Sequence, residues 1–116
     1  MPRSRYYSRD GKPLTLIEWA KNLERRSDSG RRVAEATVPG NFWVSTVWLG
    51  VDHNYRRSGP PQIFETMVFR SHKELHEFDC VRYTTETQAL NGHIILVKKW
   101  SQWWRDEDKW ELLKKS

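Results

Sequence analysis

Phe42-Trp43-Val44-Ser45-Thr46-Val47-Trp48-Leu49-Gly50-Val51 is the stretch on which the fold turns. β-branched and aromatic residues occupy both parities, as in a strand covered on both faces, so this run is the expected centre of a sheet. Upstream, Val33, Glu35 and Thr37 alternate with Ala34, Ala36 and Val38, and Pro39-Gly40-Asn41 supplies the turn of a hairpin. Downstream, the polar run 52–61 ends in Gly59-Pro60-Pro61 and cannot prolong the strand. A third strand is expected over 62–69, with Ile63, Glu65, Met67 and Phe69 on one face and Phe64, Thr66 and Val68 on the other. Residues 71–78 read as a polar excursion and 80–83 as a short fourth strand at an edge.

Helices flank these strands. Thr15 with Glu18 is a reciprocal capping pattern that satisfies free amides at a helix start. The helix it opens covers about 15–26, carries Leu16, Ile17, Trp19, Ala20 and Leu23 on its apolar stripe, and ends at Ser27-Asp28-Ser29-Gly30. Thr85 with Gln88 repeats the pattern before a second helix, in which Leu90, Ile94 and Val97 form one stripe and Ala89, His93, Leu96 and Trp100 an adjoining one. Run unbroken to residue 115, that helix would be about 45 Å long, against a globule about 35 Å across. The tail therefore either bends near Ser101 and Gln102 or overhangs the globule. Trp103, Trp104, Trp110 and Leu113 beyond it either fold back on the sheet or are covered in a homodimer, with the dimer preferred. The order helix, three or four strands, helix is α+β: a small antiparallel meander with an N-terminal helix and a long C-terminal helix packed on it.

The 116 residues suit one domain, read here as a basic arm over 1–13, a core over 14–100 and a Trp-rich helical segment over 101–116. No apolar run approaches the ~20 residues that span a bilayer, and the first dozen residues lack the apolar segment of a signal peptide. A single cysteine, Cys80, cannot form an internal disulfide. The expectation is a cytoplasmic protein without membrane contact.

Charge is unevenly spread. Residues 1–32 hold nine basic side chains (Arg3, Arg5, Arg9, Lys12, Lys21, Arg25, Arg26, Arg31, Arg32) and four acidic ones, so the whole formal charge of +5 lies in the first quarter of the chain. Tyr6 and Tyr7 stand among these cations, a mixture that attracts phosphate and offers rings for bases to stack on. Arg56, Arg57 and Arg82 complete the candidate nucleic-acid or ligand-binding set. A buried Glu65 needs a partner, and Arg82 on the neighbouring strand is the expected one, as a structural ion pair or as the binding group of an anion pocket.

Catalytic signals are sparse. His72 and His76 have the i, i+4 spacing of zinc ligands, but Glu74 is misplaced for a metalloprotease base. Asp52 and His53 close the longest strand, and His93 or Glu65 would complete an acid–base set. No nucleophile turn or phosphate-binding glycine loop is present, so no catalytic residue, cofactor or metal is assigned.

The segments VSTVWLGVDHNY (44–55), GPPQIFETMVF (59–69) and RYTTETQALNGH (82–93) resemble a small family encoded in bacteriophages, prophages and their hosts, over residues 36–97. The excursion at 70–78 and the Trp-rich end depart from that pattern. The resemblance implies a setting, a bacterial host cell, and no established chemistry. Together these features lead to a non-enzymatic phage or prophage accessory protein that binds an anionic partner, nucleic acid or a signalling nucleotide, with countering host defence as its role. Two alternatives stand beside it. One is a protein–protein module or homodimer, docking on a host protein complex or on itself through the aromatic sheet face and Trp-rich end. The other is a small hydrolase or metal enzyme using Asp52 and His53.

Overall fold

The run 42–48 is the second strand of a four-stranded antiparallel sheet in the computed structural model, which describes residues 4–25, 28–56, 58–70 and 77–103. Arg3, Arg26, Arg57, His72, His76, Trp104, Trp110, Leu113 and the side chains of Arg25 and Trp103 lie outside that description. In chain order the elements are β1 (Tyr6–Tyr7), β2 (Pro13–Leu14), α1 (Leu16–Arg25), the single turn α2 (Asp28–Arg31), β3 (Arg32–Val38), β4 (Phe42–Trp48), β5 (Phe64–Phe69), β6 (Glu77–Tyr83) and α3 (Glu86–Trp103). The large sheet runs β3-β4-β5-β6, each strand antiparallel to the one before it. The chain is thus α+β, a meander with the C-terminal helix packed on one face. β6 starts at Glu77, three residues ahead of the expected edge strand.

Both capping patterns form. Thr15 N donates to Glu18 Oε1 at 2.9 Å and Glu18 N to Thr15 Oγ1 at 3.2 Å, and Thr85 and Gln88 make the same exchange at the start of α3. At Ser101 and Gln102, where a bend is one of the two alternatives, α3 stays helical through Trp103. Of its two stripes, Ala89, His93, Leu96 and Trp100 face the sheet, whereas Leu90 and Ile94 of the other are exposed and its Val97 packs against the core.

The expected basic arm is also corrected. β1 pairs with β2, Tyr7 N donates to Gly50 O at 2.8 Å, and Tyr7 is buried beside Trp48, Ile63, Phe64 and Ala89. From Ser4 onward this segment is part of the folded domain. Burying the tyrosine ring takes its apolar area out of water and offsets part of the cost of ordering the hairpin.

The interface between α3 and the sheet has three zones. Val38, Phe42, Val44, Val68, Leu96 and Trp100 form one apolar cluster, and Tyr7, Trp48, Ile63, Phe64 and Ala89 another. Between them lies a polar band. Thr46 Oγ1 is 2.5 Å from Thr66 Oγ1 and 2.7 Å from His93 Nδ1, and the Tyr83 hydroxyl donates to Thr66 Oγ1 at 3.1 Å. Each buried hydroxyl therefore has a partner, which avoids a penalty of about 1–3 kcal/mol per orphaned group. Farther along, Asp79 accepts from Lys99 Nζ at 2.8 Å and Trp100 Nε1 at 3.1 Å, tying β6 to the last turns of α3.

Gly92 lets α3 approach this closely, since a Cβ there would collide with the Tyr83 ring and hydroxyl. In an unobstructed helix Gly→Ala gains about 1 kcal/mol. Here Gly92→Ala is expected to lose about 1–3 kcal/mol through overpacking, read as a lower urea midpoint. Burial also holds the His93 imidazole below its usual 6.5, so the unfolded chain takes up that proton more readily than the folded one. Stability should fall as the pH drops through and below 6.5, and His93→Gln should flatten that slope in urea melts. Burial alone would raise the Asp79 carboxyl, but hydrogen bonds from Lys99 and Trp100 prevail and hold it below its usual 3.8. Its contribution therefore fades only in stronger acid.

Candidate ligand cleft

Gly50 stands at the end of β4 with φ +73°, where a Cβ would lie 2.6 Å from both the Trp19 and Trp48 indoles. Only glycine tolerates that backbone with two indoles this close. Trp19 Nε1 donates to Leu49 O at 3.2 Å and Trp48 Nε1 to Tyr7 O at 3.2 Å, so each ring is fixed by its own hydrogen bond. Tyr6 packs on Trp19 with ring centroids 5.0 Å apart. The two tyrosines expected to stack on bases are thus committed within the fold.

Next to these rings is a cleft of about 430 Å³. Trp19, Leu23, Val47, Trp48, Leu49 and Val51 form its apolar wall, and Arg31, Arg32 and His53 add the basic groups. A β-bulge between Arg32 and Ala34 sets Arg32 opposite Val47 and Ala34 opposite Thr46. Without that extra residue Arg32 would fall in register with the α3 face. Arg32 Nη1 sits 3.1 Å from Glu35 Oε2, and its guanidinium lies 5.8 Å from the Trp43 ring centre. Its Nε is buried and has no hydrogen-bond partner, the only such side-chain atom among the described residues.

The loop carrying His53 is built by Asp52. Asp52 Oδ1 accepts from Asn54 N at 2.8 Å and Gln62 N at 2.9 Å, while Asp52 N donates to Arg5 O at 2.8 Å. Asn54 Nδ2 closes the loop onto Ser58 O and Pro60 O. His53 Nδ1 is 3.3 Å from the Tyr55 hydroxyl, and His53 lines both the cleft and a neighbouring hollow of about 500 Å³ bordered by the exposed Arg56.

The expected acid–base set is not assembled. Glu65 pairs with Arg82 across the face opposite α3, whereas His93 faces the interior and Asp52 holds its loop. Glu65 is buried, receives Arg82 Nε at 3.1 Å, and has the Cys80 thiol 3.8 Å away. Burial first, and then the Glu65 charge, pushes the Cys80 thiol up. Arg82 therefore acts as the structural partner of a buried carboxylate. Among the described residues no group of three His, Cys, Asp or Glu side chains could hold a metal.

The remaining basic candidates divide. Arg9 bonds Glu86 and donates to Gly30 O at 3.0 Å, and Lys12 Nζ lies 3.8 Å from Asp10. A larger hollow of about 730 Å³ beside them includes Asp10 and Glu86 in its wall, an unfavourable lining for an anion. Arg5 and Arg56 are exposed, and Arg31 and Arg32 meet at the cleft. Sequence reasoning named Arg31, Arg32 and His53 but missed Trp19, Leu23 and Trp48 as the wall. Gly50 inside a strand-like run was the available sign of a close approach.

No family model, curated protein or solved structure matches the chain.

If Asp52 is a loop brace, Asp52→Ala should cost about 1–3 kcal/mol, as expected for orphaned buried amides. Hydrogen exchange should then accelerate at the Asn54 and Gln62 amides and stay slow within β4.

Proposed function

We propose that the protein is a non-enzymatic binder of a phosphate-bearing small ligand, taken in the cleft between α1 and the end of β4. The observation that carries this reading is the buried, unpartnered Arg32 Nε at a cleft that Arg31 and His53 also line. A buried donor without a partner is rare in folded proteins, and a small turn of the part-exposed Arg32 side chain would bring it to an anion held at the cleft. The apolar wall lowers the local dielectric and strengthens such a contact. Nucleic acid is the weaker form of the anionic partner. Arg9 and Lys12 stand beside carboxylates, Tyr7 is buried, and Tyr6 packs on Trp19, which interrupts a phosphate track among the described residues. In the phage or prophage setting implied by the resemblance, such a protein would work by withholding a phosphate-bearing host signal.

Calorimetric titration at low salt with inorganic phosphate, pyrophosphate, ribose 5-phosphate, adenosine 5′-monophosphate and single-stranded or duplex DNA tests this. At least one small phosphate should bind more tightly than either DNA. Arg32→Gln should weaken it by at least about tenfold, the scale of a charge-assisted hydrogen bond, at nearly unchanged stability. Absence of binding by every small phosphate, or wild-type affinity in Arg32→Gln, would overturn the proposal.

A further inference from the structure

Resting on that reading, we infer that the cleft takes a nucleoside 5′-monophosphate, gripping the ring system and the single phosphate while leaving the identity of the base unread. The wall determines what can be read. Both indole N–H groups are engaged by backbone carbonyls, Trp19 by Leu49 and Trp48 by Tyr7. The part-exposed Trp19 indole therefore presents carbon and π surface, the buried Trp48 backs it, and Leu23, Val47 and Val51 add only hydrocarbon. Such a surface recognises a flat ring by stacking and dispersion, which every base supplies. Discrimination between bases needs donors and acceptors matched to their polar edges, and this apolar wall has none.

Size and charge set the rest of the ligand. A space of about 430 Å³ lies near the small end of the range for ligand sites, suited to one nucleotide. The basic groups are Arg31, Arg32 and His53, and Arg32 already shares Nη1 with Glu35. That provision matches the roughly −1.5 to −2 charge of a phosphate monoester and falls short of a triphosphate. The site is also held in advance of binding. Tyr6 packs on Trp19, the bulge sets the side of Arg32, and Asp52 braces the His53 loop, so little ordering remains to oppose association.

Tryptophan fluorescence titrations of the full chain with the adenosine, guanosine, cytidine and uridine 5′-monophosphates provide the test, run beside adenosine, ribose 5-phosphate, inorganic phosphate and adenosine triphosphate. The four monophosphates should agree within about tenfold, and adenosine and ribose 5-phosphate should each bind at least about tenfold more weakly. Adenosine triphosphate should bind no more tightly than the monophosphate. Trp19→Phe should keep affinity within a few-fold and Trp19→Leu lose at least about tenfold, with thermal melts confirming that both variants fold. A spread beyond tenfold among the bases would show that the base is read and overturn the inference. If ribose 5-phosphate or inorganic phosphate equals the monophosphates, phosphate binding survives and the ring-gripping claim falls. If no phosphate-bearing molecule binds, both fall.

Discussion

One imidazole fixes where α3 can lie. His93 is the polar member of a helix face otherwise made of Ala89, Leu96 and Trp100, and it meets the sheet where Thr46 and Thr66 face it. A slip of one helical turn, about 5.4 Å, would set it among Val44 and Val68 or among Trp48 and Phe64, and would leave Thr46 without its nitrogen partner. Apolar packing alone tolerates sliding far better than this contact does. The close approach at Gly92 and the Asp79 contacts with Lys99 and Trp100 hold the same register from either side.

The position of α3 reaches the cleft through Trp48. Ala89 and Trp48 belong to one cluster, and Trp48 also lines the cleft wall, so core and site share a side chain. Gly50 then permits Trp19 to close on Trp48, and the Trp19 hydrogen bond to Leu49 fixes α1 beside β4. On the other side the β3 bulge turns a residue that simple alternation would aim at α3 toward the basic margin. Architecture and proposed chemistry thus meet over a few residues.

Local rules made much of this visible. The caps at Thr15 and Thr85, the alternation in β3 and β5, and the pairing of Glu65 with Arg82 each follow from interactions within a few residues or across one strand pair. What stayed hidden depends on distant partners. Tyr6 and Tyr7 make a strand too short to show a period, and Tyr7 is buried against residues as far away as Ala89. The choice between the Leu90 and His93 stripes of α3 could not be made from periodicity, because the pattern permits both and the threonines of β4 and β5 decide. The Arg32 bulge leaves no compositional mark.

The hairpin near the N-terminus also bears on how the chain assembles. Its backbone needs Gly50, its tyrosine needs Ile63 and Phe64, and the same pocket is closed by Ala89. The central strands pair with sequence neighbours and can zip up as they leave the ribosome. The hairpin, although synthesised earlier, has its seat completed only when α3 has been made. The first of these segments to emerge thus completes its packing only with the last.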